Sequence, residues 1–104
     1  VLEYNLEEIR EPLSELLLHL AGPEIYAMKP KSQRAEESIA TIRKLRDDLH
    51  RHCGLPRTLQ ETGKVEKSQL DRIAQMTIDD GSIMFNPKEA SLEDARAVLE
   101  KAWA

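Results

Sequence analysis

The stretch from about Ser32 to Cys53 most constrains what this chain can fold into. Ala35, Ile39, Ile42, Leu45, Leu49 and Cys53 recur every three or four residues, which gathers them on one stripe of a helix. Around that stripe the residues are charged. Arg43 with Asp47, Lys44 with Asp48 and Asp47 with Arg51 stand four apart, the spacing of paired charges on a solvated helix face. His50, Arg51 and His52 fall in the last turn, where positive charge suits the negative end of the helix dipole. Gly54 followed by Pro56 ends the helix. No strand alternation of useful length occurs anywhere in the chain, so the fold class is all-α, a compact bundle of about five helical segments.

The other segments are shorter. A first helix begins near Pro12, a good first-turn residue, and carries Leu13, Leu16, Leu17 and Leu20 on one face before Gly22-Pro23 stops it. Leu18 lies on the opposite side, which predicts contacts on two faces. Glu24 to Lys31, where two prolines bracket Ile25, Tyr26 and Met28, reads as a loop lying over the core. Thr58 with Glu61 allows one capped turn through Leu59 to Gly63. A fourth helix from about Lys67 to Asp80 presents Leu70, Ile73, Ala74, Thr77 and Ile78. Pro87 disfavours the helical region for Asn86 and keeps the segment before it extended, setting apart an apolar loop, Ile83-Met84-Phe85. Ser91 and Asp94 then form a capping box for a last helix, in which Leu92, Ala95, Val98, Leu99, Ala102 and Trp103 share one side.

Composition excludes several classes of function. With 104 residues, 33% charged and 40% hydrophobic, the chain has the balance of a soluble globular domain with a single modest core. Its net charge of -4 and interspersed basic and acidic residues give no electrostatic footprint for nucleic acid or an anionic membrane. No apolar run approaches the roughly 20 residues that span a bilayer. One cysteine rules out an intramolecular disulfide framework, so a reducing, cytoplasmic setting is the default expectation. Val1-Leu2-Glu3-Tyr4-Asn5, without an initiator methionine or a leader, reads like a chain entered in mid-course. The glycines at 22, 54, 63 and 81 are too scattered for a phosphate-binding loop.

Candidate chemistry is thin. His50-Arg51-His52-Cys53 has metal-ligating residue types, but positions two apart on a helix point about 200° apart, so His50 and His52 cannot share an ion without unwinding. Cys53 falls on the apolar stripe, where a small buried thiol is the ordinary outcome. The C-terminal end of a helix also raises a thiol pKa and so disfavours a reactive thiolate. His19 reads as a surface or rim histidine. Asp79 and Asp80 could form a carboxylate pair, although adjacent acids before a glycine more often mark a helix terminus. No serine has the frame of a nucleophile elbow.

Taken in order, Val1-Leu2-Glu3-Tyr4-Asn5, Ile42 through Cys53-Gly54-Leu55-Pro56, Thr58-Leu59, Val65, Leu70, Ile73-Ala74, Asp79-Asp80, Asn86-Pro87-Lys88 and the final Trp103 helix resemble the C-terminal end of the iron-containing (group III) alcohol dehydrogenases. The resemblance covers nearly the whole chain and is most specific at Asn86-Pro87 and the tryptophan helix. It implies that residues 1–104 form a single helical domain, part of a dehydroquinate synthase-like C-terminal helical domain in a longer two-domain oxidoreductase. Relatives bind NAD or NADP on an N-terminal α/β domain. They hold a divalent metal, commonly iron or zinc, with one aspartate and three histidines, none of which maps onto this sequence. No catalytic, cofactor-binding or metal-ligating residue is therefore assigned here, and the chain alone is expected to be inactive.

One local role does carry over. In similar dehydrogenases the loop before Asn-Pro borders the cleft between the domains, which places Ser82, Ile83, Met84 and Phe85 near substrate or nicotinamide as shape and polarity. The plainer reading is that Ile83, Met84 and Phe85 plug the bundle. The implied partner is the N-terminal nucleotide-binding half. The alternative is an autonomous helical interaction module, a homo-oligomer burying Leu18 and the Ile25-Tyr26 loop. A third alternative is a small enzyme or metal protein using His50, Cys53 or the Asp79-Asp80 pair.

Overall fold

A computed structural model of the chain describes all 104 residues, Val1–Ala104. It contains helices and turns and no strand: α1 (Arg10–Ala21), α2 (Pro23–Met28), α3 (Arg34–Cys53), α4 (Leu70–Asp79) and α5 (Leu92–Trp103), with short 3₁₀ turns between them. The all-α class and the count of five agree with the sequence, but the membership differs. Thr58 to Gly63 is only a 3₁₀ turn, and α2 takes its place among the helices. No helix is long and apolar enough to cross a membrane. The chain divides into two compact units, Val1–Leu55 and Pro56–Ala104.

In the first unit, Leu13, Ala35 and Ile39 form the core, and Leu2, Leu6 and Ile9 pack against it from the turns that precede α1. Leu17 is fully buried, a burial that stabilises by about 1.5–3 kcal/mol. The leucine face is narrower than its spacing suggests, since Leu16 and Leu20 are as exposed as Leu18. The Arg10 guanidinium joins Glu7 at 2.7 Å to Glu36 at 2.8 Å, fastening the start of α1 to α3.

The expected loop from Glu24 to Lys31 is a helix over most of its length. Pro23 occupies the first helical position, where its missing N–H costs nothing, so the residue that stops α1 also starts α2. Six residues do not hold a helix unaided. Arg34 supplies the hold: its Nε donates to the carbonyls of Tyr26 at 3.0 Å and Lys29 at 3.1 Å, and its guanidinium lies 3.9 Å from the Tyr26 ring centre. The carbonyls left over at the end of α2 are thereby satisfied.

The apolar stripe of α3 is covered only in its first half. Ala35 and Ile39 are buried, whereas Leu45 and Leu49 are exposed and Cys53 is an exposed free thiol. The cover from Leu2, Leu6, Ile9 and Leu13 gathers at Ala35 and Ile39. Arg43 reaches Glu3 at 2.5 Å, and from Arg43 to Cys53 the helix runs on for about 15 Å more. The buried thiol expected at Cys53 is therefore corrected. Lys44 pairs with Asp48 as its spacing predicts, and Arg51 also takes Asp48, three residues back, at 3.0 Å.

The second unit is built on α4 and α5, with Leu70, Ala74 and Ala95 buried. A capping box of Glu66 and Gln69 opens the turn that leads into α4. The box of Ser91 and Asp94 starts α5 where the sequence places it. At the far end of α5 the Ala102 carbonyl accepts the Leu59 N–H at 2.9 Å.

Candidate functional site

The sequence points to the segment after α4, and there the second unit carries an open groove of about 510 Å³. Ile73, Met76 and Thr77 of α4 form one side, and Asp80, Ser82 and Ile83 the other. The groove exists because α4 stops at Asp79 and the chain turns sharply. Asp80 adopts an extended conformation and caps the following 3₁₀ turn, Gly81–Phe85. Its Oδ1 accepts the Ser82 N–H at 2.8 Å and also the Ser82 hydroxyl. These two bonds hold the Asp80 carboxyl below its usual range.

The turn is closed from behind as well. The Asn86 N–H donates to the Ile83 carbonyl at 3.1 Å, and the Asn86 side-chain amide donates to the Lys88 carbonyl at 2.5 Å. Asn86 is extended, as a residue before proline must be. The sequence predicts an extended run through Ile83, Met84 and Phe85. That is corrected: Asp80 satisfies the Ser82 N–H and winds the segment before proline's influence begins.

Of the four residues expected at a cleft, Ser82 and Ile83 line the groove. Met84 and Phe85 stand outside it, 83% and 87% exposed. Neither of those two plugs the bundle. The Ser82 hydroxyl hydrogen is committed to Asp80, so toward a ligand Ser82 offers a lone pair rather than a donor. Thr77 likewise donates to its own helix at Ile73, at 2.9 Å. Met76, which the sequence does not single out, lines the groove as well. It lies three residues after Ile73 and four before Asp80, the spacing that shares a helix face.

The remaining candidates are separately engaged. Asp79 accepts the Gln75 side-chain amide at 2.9 Å while Asp80 serves its own turn, so the two acids form no shared carboxylate site. A His50 ring nitrogen lies 2.9 Å from the Leu55 carbonyl, which can only accept, so that nitrogen carries the proton. The Cys53 thiol donates to the Leu49 carbonyl at 3.0 Å. His19 and His52 are exposed. No three His, Cys, Asp or Glu side chains are grouped to hold a metal ion, and the donors present do not fit the divalent metal that the resemblance implies.

The chain is all-helical, with an Asn-Pro turn beside an open groove. Residues 1–103 match the family model described as "Fe-containing alcohol dehydrogenase family, C-terminal", and the chain belongs to that family. It is 38% identical over 55 residues to the lactaldehyde reductases of Escherichia coli K12 and Escherichia coli O157:H7. That alignment covers 53% of this chain and 14% of each relative. No solved structure matches significantly.

Proposed function

We propose that residues 1–104 are the C-terminal helical domain of a metal-dependent, NAD(P)-linked alcohol dehydrogenase, serving as scaffold and as one wall of the interdomain substrate cleft. The metal, iron or zinc, and the dinucleotide belong to the rest of that enzyme. The observation that carries this reading is the Gly81–Phe85 turn. It is fastened at both ends by Asp80 and Asn86, yet leaves Met84 and Phe85 almost wholly exposed beside a groove. Two large apolar side chains on a fixed turn are suited to shaping a cleft and shielding it from water. The likeness to lactaldehyde reductases makes short-chain alcohols and hydroxyaldehydes the first substrates to try.

The test is an activity survey of the protein as expressed from its own gene, loaded with iron or zinc and supplied with NAD or NADP. Dinucleotide-dependent turnover is expected, and Phe85→Ala should raise KM for the alcohol more than it lowers kcat. A second reading, a self-associating helical module without catalysis, draws on the exposed Leu18, Ile25 and Met28 of the first unit. It predicts a concentration-dependent oligomer by sedimentation and no turnover with any dinucleotide.

A further inference from the structure

We infer that Asp80 is a positioning residue for this reaction, the group that holds the cleft-wall turn in its working shape; the inference rests on the cleft-wall reading above. The turn has almost no packing to define it. Gly81, Ser82, Met84 and Phe85 are exposed, and only Ile83 is half-buried. Its shape must therefore come from hydrogen bonds. Five residues of 3₁₀ helix is a long run for that geometry, whose own bonds are poorly aligned. Asp80 offsets this by accepting both the backbone N–H and the hydroxyl of Ser82 on one carboxylate oxygen. A charged acceptor makes each bond stronger than a neutral one. The Asp80 carboxylate bonds to Ser82, and it acts on Met84 and Phe85 through that residue.

The experiment uses the protein as expressed from its own gene, with Asp80→Ala, Asp80→Asn and Phe85→Ala. Two quantities are read: the rate of native-state chymotrypsin cleavage after Phe85, which requires the turn to open, and KM against kcat for the alcohol that the survey selects. Asp80→Ala should speed cleavage by roughly fivefold, the size expected for losing a helix cap. It should also raise KM several-fold while kcat changes by less than about twofold. Asp80→Asn keeps an acceptor oxygen in place but not its charge, and should recover part of both losses.

Cleavage of Asp80→Ala at the wild-type rate overturns the inference. So does faster cleavage with unchanged KM when Phe85→Ala does raise KM. Phe85→Ala with unchanged KM defeats the cleft-wall reading itself, and the inference with it. Should Asp80→Ala melt too low for assay, Ser82→Ala removes only the hydroxyl half of the clamp and must move both readouts in the same direction by less.

Discussion

The Ser38 hydroxyl donates a 2.7 Å hydrogen bond to the Leu13 carbonyl from a fully buried position. The bond joins α3 to α1 where Ala35 and Ile39 form the core. Leu13 lies inside α1, so its carbonyl keeps its intrahelical partner when the serine is removed. Ser38→Ala should therefore lower stability by only about 1 kcal/mol. Ser38→Leu must push the helices apart and should cost more, about 1–3 kcal/mol. Urea unfolding of the two variants checks this, and equal midpoints would show that the helices are not tightly apposed at Ser38.

Gly22 and Gly54 both have positive φ, and both have open space where a Cβ would stand. The cost of alanine at either is thus set by backbone strain alone. Gly54, at φ 72° and ψ 22°, sits in the left-handed region that asparagine tolerates. Gly22, at φ 89° and ψ 167°, sits where essentially only glycine is found. Gly22→Ala should destabilise by about 1–3 kcal/mol, more than Gly54→Ala, and Gly54→Asn should be nearly silent. Melting temperatures of the three variants in one buffer give the order.

The parts of the fold that were legible in the sequence are those fixed by short-range chemistry. Ser91 with Asp94 and the Gly54 stop need only residues a few positions apart, and each was read at its correct place. What failed depends on distant partners. Pro23 to Met28 is helical because Arg34, eight residues after Tyr26, caps it from another helix. Cys53 is exposed because the cover on α3 gathers around Ala35 and Ile39, and periodicity says which side of a helix is apolar but not how far the cover extends. At the candidate site, the place of Ser82 and Ile83 before Asn86-Pro87 suggests a cleft, and in the structure both line the groove after α4. Asp79-Asp80 does mark the end of α4, as its place before a glycine predicts, but the cap that Asp80 makes for the next turn is not legible there, because only coordinates show it accepting from Ser82.

Acid should weaken the first unit through carboxylates whose pKa values are lowered on folding. Glu7 is lowered from the ordinary 4.5 by its bond to Arg10. Glu36 is lowered by a backbone bond within its own residue and then by Arg10, and Asp48 is lowered from 3.8 chiefly by Lys44. A lowered folded pKa means that the unfolded chain binds more protons as pH falls. The stabilisation is thus fully present above the ordinary values and disappears as pH drops through the lowered ones. The urea midpoint should be flat from neutrality to about pH 5 and decline below it. Glu7→Gln with Glu36→Gln should lower the plateau and make the decline shallower. High salt should act in the same direction, since these groups lie at the surface. An acid limb of undiminished slope in the double variant would remove Arg10's partners as its cause.

The last helix should depend on its first turn. Ser91 Oγ accepts the Asp94 N–H at 3.1 Å, and the Asp94 carboxylate returns the interaction to the Ser91 N–H at 3.0 Å. Beyond that box, α5 has only Ala95 buried, with Val98, Leu99 and Trp103 half-buried. Packing alone holds a twelve-residue helix weakly when so little of it is covered. Ser91→Ala should therefore cost about 1 kcal/mol. The Ser91→Ala/Asp94→Ala pair should cost less than the sum of the two singles, because each single change already breaks the reciprocal box. Hydrogen exchange of the α5 amides reads the effect locally: protection should fall in Leu92–Trp103, while the amides of α3 keep their wild-type rates. Equal loss of protection in both helices would mean that the box stabilises the whole chain rather than the helix it begins.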